Sequence, residues 1–299
     1  MWVGASTICG VLRTLSLHYP HPLAAAQLMR FLSERAIPGV EVFDGVTFSR
    51  SIRTGSDRAV AIELTPDPAS GSVVFEAEID DPMELADVVR ASRRLLDLDA
   101  DPVSIDGALS ADPLLRPRVR ATPGLRLPGA IDGFELAVRA ILGQQISVRA
   151  ARTLAGRIVT RAGTALDRDK TVGGVSHLFP TPEQLAAAPL EDLGITRRRL
   201  ETIRRLSELV ASGDLMLAEG ADRETVREAL LAIPGIGPWT VAYISMRALR
   251  DPDAFPASDL GVREGFRALG LPTAVSAITE HAERWRPWRA YAVMHLWNG

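Results

Sequence analysis

Lysine is almost missing from this sequence. Of 34 basic residues only Lys170 is a lysine and 33 are arginine, so chemistry that needs a lysine amine, as a Schiff base or a phosphate-loop donor, must fall on that one side chain. Lys170 sits in the polar run Asp167-Arg168-Asp169-Lys170, which reads as a solvated loop without the desolvated setting a reactive lysine needs. Cysteine is equally scarce. The single Cys9 excludes an internal disulfide, a cysteine-rich zinc site and a cysteine-ligated iron–sulfur cluster. His18, His21, His177, His281 and His295 lack the spacing of metal ligands. No uninterrupted run of 18 apolar residues occurs, so no helical membrane span is expected. Met1–Leu12 has no basic n-region and too short an apolar run for a signal peptide, and a cytoplasmic protein is expected.

What is present suits an ordinary globular protein. A hydrophobic content of 46% and a charged content of 24% over 299 residues suffice for a full core in one large domain or two to three small ones. The net charge of −3 hides an asymmetry, with −7 on residues 1–108 and +4 on residues 109–299. Taken alone, this fits an acidic accessory domain beside a near-neutral one better than a polyanion-binding half.

Residues 1–108 mix strand and helix signals. Leu23–Ala36 places Leu28, Phe31 and Leu32 on one helical stripe and ends at Pro38-Gly39. Val11–Tyr19 alternates loosely, and Val40–Val46, Thr47–Arg53, Ala59–Leu64 and Val73–Ile79 are short, β-branched and bounded by Gly, Pro or Asp, the signature of antiparallel strands. Asp81–Leu98 reads as a helix. The expectation is an α+β N-terminal domain, an antiparallel sheet with helices, over residues 1–108. From about residue 109 strand signals stop. Proline-rich Asp112–Gly129 reads as a connector. Ile131–Leu142, the stretch capped by Ser147, Thr181–Ala187, Arg197–Ala211, Arg223–Ala232, Pro238–Leu249, Leu260–Leu269, Thr273–Trp285 and Trp288–Trp297 read as helices. The second part is therefore expected to be all-α, with one helical domain over 133–250 and a second helical subdomain built from 109–132 together with 251–299.

One stretch carries chemistry. Ile233-Pro234-Gly235-Ile236-Gly237-Pro238 joins a helix ending at Ala232 to one beginning at Pro238, a helix–hairpin–helix. Without Cβ atoms, Gly235 and Gly237 let backbone amides approach an anion at a helix N-terminus, and Pro238 at the first helical position has no amide to leave unsatisfied. Gly235, Ile236 and Gly237 are thus candidate contacts to a nucleic-acid phosphate. The carbonyls of Leu231, Ile233 and Ile236 are candidate donors to a monovalent cation sharing that phosphate. A tight αα-corner with no ligand would explain a bare Gly-x-Gly; the longer pattern Leu230–Ala242 favours nucleic acid. Asp259 follows the proline-containing run Asp251–Ser258 and precedes Leu260–Leu269, and by position alone it reads as an N-cap or first-turn acid. The stripe Arg197-Arg198-Arg199 with Arg204-Arg205 reads as a solvated helix face.

Further segments add a resemblance. Leu125-Arg126-Leu127-Pro128-Gly129, Ala140-Ile141-Leu142-Gly143-Gln144-Gln145-Ile146-Ser147-Val148 and Glu283-Arg284-Trp285-Arg286-Pro287-Trp288-Arg289-Ala290-Tyr291-Ala292 stand with a hairpin followed by Asp259, 22 residues after Gly237. Together they resemble the helix–hairpin–helix DNA glycosylase superfamily and, within it, the bacterial 3-methyladenine DNA glycosylases of type II. The resemblance runs from about Leu15 to Trp297. It implies a monofunctional glycosylase of base excision repair, acting as a monomer on double-stranded DNA that carries alkylated bases (3-methyladenine, with 7-methylguanine) and leaving an abasic site. By the same resemblance Asp259 is the catalytic carboxylate. Trp239, Tyr243, Trp297 and Phe31 wall the base pocket, and Leu260 stands where the family's type enzyme has tyrosine. Gln145, in place of a leucine, fills the gap left by the flipped base. No cofactor is implied beyond the hairpin cation.

The physics is coherent with that assignment. An anion beneath the sugar stabilises the cation that forms as the glycosidic bond breaks, electron-rich rings attract a cationic base, and a base must leave the duplex stack to be excised. Lyase relatives carry a lysine just after the second hairpin glycine, where this chain has Pro238-Trp239. An oxidised-guanine glycosylase/lyase therefore lacks its nucleophile here, and the absent cysteine cluster argues against the iron–sulfur branches. A non-catalytic helix–hairpin–helix DNA-binding protein remains the alternative; it accounts for the hairpin but not for Asp259 together with the rings. Burial in the core is the alternative for each ring; the pocket reading is favoured for Trp239, Tyr243 and Trp297, and for Phe31 the two are balanced.

Overall fold

The computed structural model describes residues 11–167 and 173–298; Cys9 and Lys170 lie outside them. The chain opens with β1 (Leu12–His18), α1 (Ala25–Arg35), β2 (Glu41–Phe43), β3 (Phe48–Arg53), β4 (Ala59–Asp67) and β5 (Ser72–Glu78). These strands form one antiparallel sheet in the order β1-β5-β4-β3-β2. The side chains of β4 alternate, burying Val60, Ile62 and Leu64 on one face, as the two-residue period of a half-covered sheet requires. Helix α2 (Pro82–Leu96) lies next, started by Pro82 and by the Asp81 carboxylate, which accepts the Met83 amide at 2.7 Å.

Three details depart from the sequence expectations. The strand expected over Val40–Val46 is only Glu41–Phe43, because Asp44 Oδ1 accepts the Val46 and Thr47 amides at 2.8 and 2.7 Å and turns the chain. The proline-rich connector contains a helix, α4 (Arg116–Ala121), preceded by α3 (Pro102–Leu109). Pro102 and Pro117 sit at the first or second helical position, where the missing amide does no harm, so they open helices instead of breaking them. Strands also recur after residue 109: β6 (Thr164–Ala165) pairs with β7 (His177–Leu178). This ladder is tied to the first sheet, Ser51 Oγ donating to the His177 carbonyl at 2.6 Å.

The body continues with α5 (Gly133–Leu142), α6 (Val148–Ala162), α7 (Pro182–Ala187), α8 (Arg197–Ala211), α9 (Arg223–Leu231), α10 (Pro238–Arg247), α11 (Leu260–Ala268), α12 (Val275–Ala282) and α13 (Arg289–Trp297). Buried side chains fall into two clusters. One gathers α5–α10 with Ile37 and Val40. The other is continuous from the sheet (Phe48, Ile62, Phe75) through Leu125 and Leu127 to Phe266, Trp285 and Tyr291 of the C-terminal helices. Helix α10 lies where the two meet, with Tyr243 packed against both.

Charge stitches the same seam. Arg50 on β3 bonds Glu41 and Glu135, each at 2.9 Å, and Arg139 on α5 reaches both carboxylates, at 3.1 and 2.9 Å. Burial alone would raise the Glu41 pKa, but Arg139 and Arg50 outweigh it and hold the group below its ordinary value. Asp97 is a second hub, accepting from Tyr291 Oη, the Leu127 amide and Arg250 Nη2 at 2.8, 3.0 and 3.0 Å.

Candidate active site

The site begins at the hairpin between α9 and α10. Gly235 has φ +98°, a conformation that penalises side chains, and a Cβ there would stand 2.2 Å from Thr202 Oγ1. Its glycine is thus demanded by the backbone and by close packing on α8. A Cβ on Gly237, by contrast, would meet nothing within 4 Å: this glycine faces open space, where an anion can approach. The amides of Gly235 and Gly237 have no acceptor among the described residues. Ile233 and Ile236 turn their side chains inward, 2% and 6% exposed, so Ile236 can offer a ligand only its backbone.

Helix α10 carries the geometry from the hairpin to the rings. Trp239, Tyr243 and Arg247 recur at the four-residue spacing that shares a face. The Trp239 and Tyr243 rings stack at 5.6 Å and 18°, and Tyr243 lies 6.4 Å from Trp297 of α13. Trp297 stacks in turn on Phe31 of α1 at 6.2 Å and 12°. All four expected rings are therefore in one row, drawn from three helices. Trp239, Tyr243 and Trp297 are half-buried, whereas Phe31 is buried. Leu260 is not part of the row: at the first position of α11 it is 66% exposed.

Asp259 is that N-cap, and it lies at the row. Its Oδ1 accepts the Val262 amide at 3.0 Å and the Trp297 indole N–H at 2.8 Å, while Oδ2 accepts the Trp239 indole N–H at 2.9 Å. The capping reading and the site reading of this residue thus describe one geometry. The two indoles, read in the sequence as walls for a base, also clamp the carboxylate. Gly261 makes this possible, since a Cβ there would fall 2.6 Å from Trp297 Cδ1 and 3.2 Å from Asp259 Oδ1.

Behind the row stand guanidinium groups that the sequence did not single out. Arg247 donates to Pro128 O, Gly129 O and Tyr243 Oη at 2.7, 2.8 and 2.9 Å. Its Cζ lies 4.9 Å from the Phe31 centroid and that of Arg35 lies 3.8 Å away, a cation–π arrangement. Burial would raise the Tyr243 pKa, but Arg247 and Arg35 draw it below its ordinary value. The only sequence signal for Arg247 was its spacing from Tyr243.

Gln145 occupies the turn after α5, exposed, with φ +58°. The basic stripe of α8 is largely engaged in surface ion pairs, Arg197 with Glu201, Arg204 with Glu191 and Arg205 with Glu208. Among the described residues no group of three or more His, Cys, Asp or Glu side chains can hold a metal ion, and no helix is long and apolar enough to cross a membrane.

Residues 14–132 match the model of the AlkA N-terminal domain and residues 138–290 that of the HhH-GPD superfamily of base excision DNA repair proteins. The chain belongs to the HhH-GPD superfamily. Within it this HhH-GPD protein is of the AlkA type. It is 44% identical over 288 residues to a probable bifunctional transcriptional activator/DNA repair enzyme AlkA of Mycobacterium tuberculosis, covering 95% of this chain and 57% of that relative's length. It is 33% identical over 285 residues to DNA-3-methyladenine glycosylase 2 of Escherichia coli, covering 94% of this chain and 96% of that one. Among solved structures, the 3-methyladenine DNA glycosylase of Archaeoglobus fulgidus superposes with a TM-score of 0.82 at 26% identity, over 96% of this chain and 97% of the other.

Proposed function

We propose that this HhH-GPD protein is a monofunctional DNA glycosylase that binds double-stranded DNA, flips an alkylated base, 3-methyladenine or 7-methylguanine, into the ring row, and hydrolyses its glycosidic bond. The observation that carries the reading is the Asp259 carboxylate held between the Trp239 and Trp297 indoles, on the helix start beside the hairpin helix α10. The relatives' names support it, as does the Schizosaccharomyces pombe 3-methyladenine glycosylase solved with abasic DNA, of TM-score 0.56 and 26% identity.

The chemistry follows from charge. A base methylated at N3 or N7 is already cationic and departs with the bonding electron pair, so no general acid on the base is needed. Positive charge passes to the deoxyribose, which water then attacks at C1′, releasing a proton and leaving an abasic site. A carboxylate about 4 Å from that cation, at an effective dielectric of about 20, contributes roughly 4 kcal/mol, or about a thousandfold in rate. Indole donors fix where that charge sits before the reaction, so none of the stabilisation is spent on reorienting it. The rings supply cation–π attraction of about 0.5–2 kcal/mol to a cationic base.

The DNA grip falls to the hairpin. The unpaired amides of Gly235 and Gly237 point a helix start at a phosphate. The carbonyls of Leu231, Ile233 and Ile236 would share a monovalent cation with it; Ile233 O accepts the Ile236 amide at 3.1 Å and keeps one lone pair for that purpose. Gln145, the exposed residue at the tip of its turn, fills the gap in the stack. No lysine follows the hairpin, so the abasic strand is left uncut.

Asp259→Asn is expected to lower release of methylated bases about a thousandfold while binding to abasic-site duplex persists. Undiminished release removes Asp259 from the mechanism. A wild-type protein that binds duplex but releases no alkylated base makes this a binding module instead.

A further inference from the structure

We propose that Gln144 and Arg199 are positioning residues that join the Gln145 turn and the hairpin into one rigid unit, so that phosphate capture and entry of Gln145 into the base stack are a single movement. The proposal rests on the reading of Gln145 as the gap-filling residue. Gln144 and Gly235 are 91 positions apart in the chain, yet Gln144 Nε2 donates to Gly235 O at 3.0 Å and to Thr240 Oγ1 at 3.0 Å. One side-chain amide thus spans the hairpin, touching the turn before α10 and the first turn of α10 itself. Thr240 is 2% exposed, so the bond lies on the inner side of the helix.

Helix α8 backs both turns from one face. Arg199 Nη2 donates to the Gln144 carbonyl, and three residues on, Thr202 Oγ1 donates to Pro234 O at 2.8 Å. Residues three apart share a helical face, so α8 holds the Gln145 turn with one side chain and the hairpin with the next. The restraint has a local purpose. Gln145 keeps a left-handed backbone that costs a non-glycine residue on the order of 1 kcal/mol, and such a conformation persists only where its surroundings over-determine it. Here the residue immediately before it is anchored at both its carbonyl and its side chain. The charge on Arg199 is therefore not part of the solvated stripe: its role is to hold a carbonyl, which separates it from Arg197 and Arg198 beside it.

Rigid coupling matters only when a base must be pushed out of a stack. The test compares excision of one methylated base from duplex and from single-stranded oligonucleotide by the wild type, Gln144→Leu, Arg199→Met and Gln145→Ala. Each variant is expected to lose about tenfold or more on duplex, equivalent to one lost hydrogen-bonded restraint, and to stay within about twofold on the single strand. Gln144→Leu combined with Gln145→Ala is expected to be no worse than the poorer single variant, the non-additivity of residues acting as a unit. Equal loss on both substrates, at unchanged melting temperature, assigns the pair a role in the pocket and overturns the proposal. So does unchanged duplex excision, or a double variant whose losses multiply. A wild type inactive on both forms overturns the glycosylase reading itself, and this proposal with it.

Discussion

Three donors on one carboxylate leave Asp259 little freedom, and the smallest residue nearby decides whether they reach it. Gly261→Ala puts a methyl group 2.6 Å from Trp297 Cδ1, closer than atoms tolerate, so the indole must withdraw. Gly261 lies on a helix, where alanine is otherwise favoured by about 1 kcal/mol. The expected result is a protein that melts near the wild-type temperature but whose turnover falls about tenfold or more with little change in KM for DNA; steady-state kinetics on a methylated duplex check it. The sequence made Asp259 legible twice, as a cap and through the family motif. Gly261 was not legible, because a glycine in a helix start announces nothing until a tryptophan from 36 positions later is seen to lie over it. Leu260, 66% exposed, stands apart from the ring row, because adjacency to a site residue does not fix which way a side chain leaves a helix.

Helix α10 is one object with three duties. Its start presents the open side of Gly237, its first two turns supply two rings, and its last turn supplies Arg247. Arg247 is 4% exposed, and its guanidinium satisfies two buried carbonyls and a phenol. Replacing it by methionine leaves Pro128 O and Gly129 O without their partner, at about 1–3 kcal/mol for each buried group. Arg247→Met is expected to lose roughly 2–4 kcal/mol of stability in urea unfolding and to weaken base release further by freeing Tyr243 and Phe31. The helix itself was readable from its proline start and periodicity. Its buried arginine was not, since single-sequence reasoning assigns charge to the outer face. The same limit explains the short elements: α3 and α4 were hidden by prolines that open helices as readily as they end them, and β6 and β7 are two residues each, too short to show any period.

Across the whole molecule the sheet and the helical body are joined by a buried ion quartet. Arg50→Leu would leave Glu41 and Glu135, 5% and 4% exposed, sharing Arg139 alone, and breaking such a cluster costs about 3–5 kcal/mol. Acid should act on the same cluster. Arg139 and Arg50 hold Glu41 below its ordinary 4.5 despite the opposing effect of burial. Its contribution is therefore present in full above the unfolded value and is lost as pH falls through the lower folded one. Unfolding free energies measured from about pH 6 to about pH 3 are expected to fall below about pH 4.5 in the wild type, and to show a smaller charge-linked loss there in the Arg50 variant. Composition and periodicity revealed an α+β part and a helical part, but not that Leu17 and Phe75 would lie in one apolar cluster with Phe266 and Trp285, because pattern within an element says nothing about which distant element covers it. That shared interior has a genetic corollary. A gene fragment encoding only the helical portion would uncover apolar side chains that the N-terminal part covers in this chain, and exchange of that part between relatives is expected to cost stability unless the residues that meet it are exchanged with it.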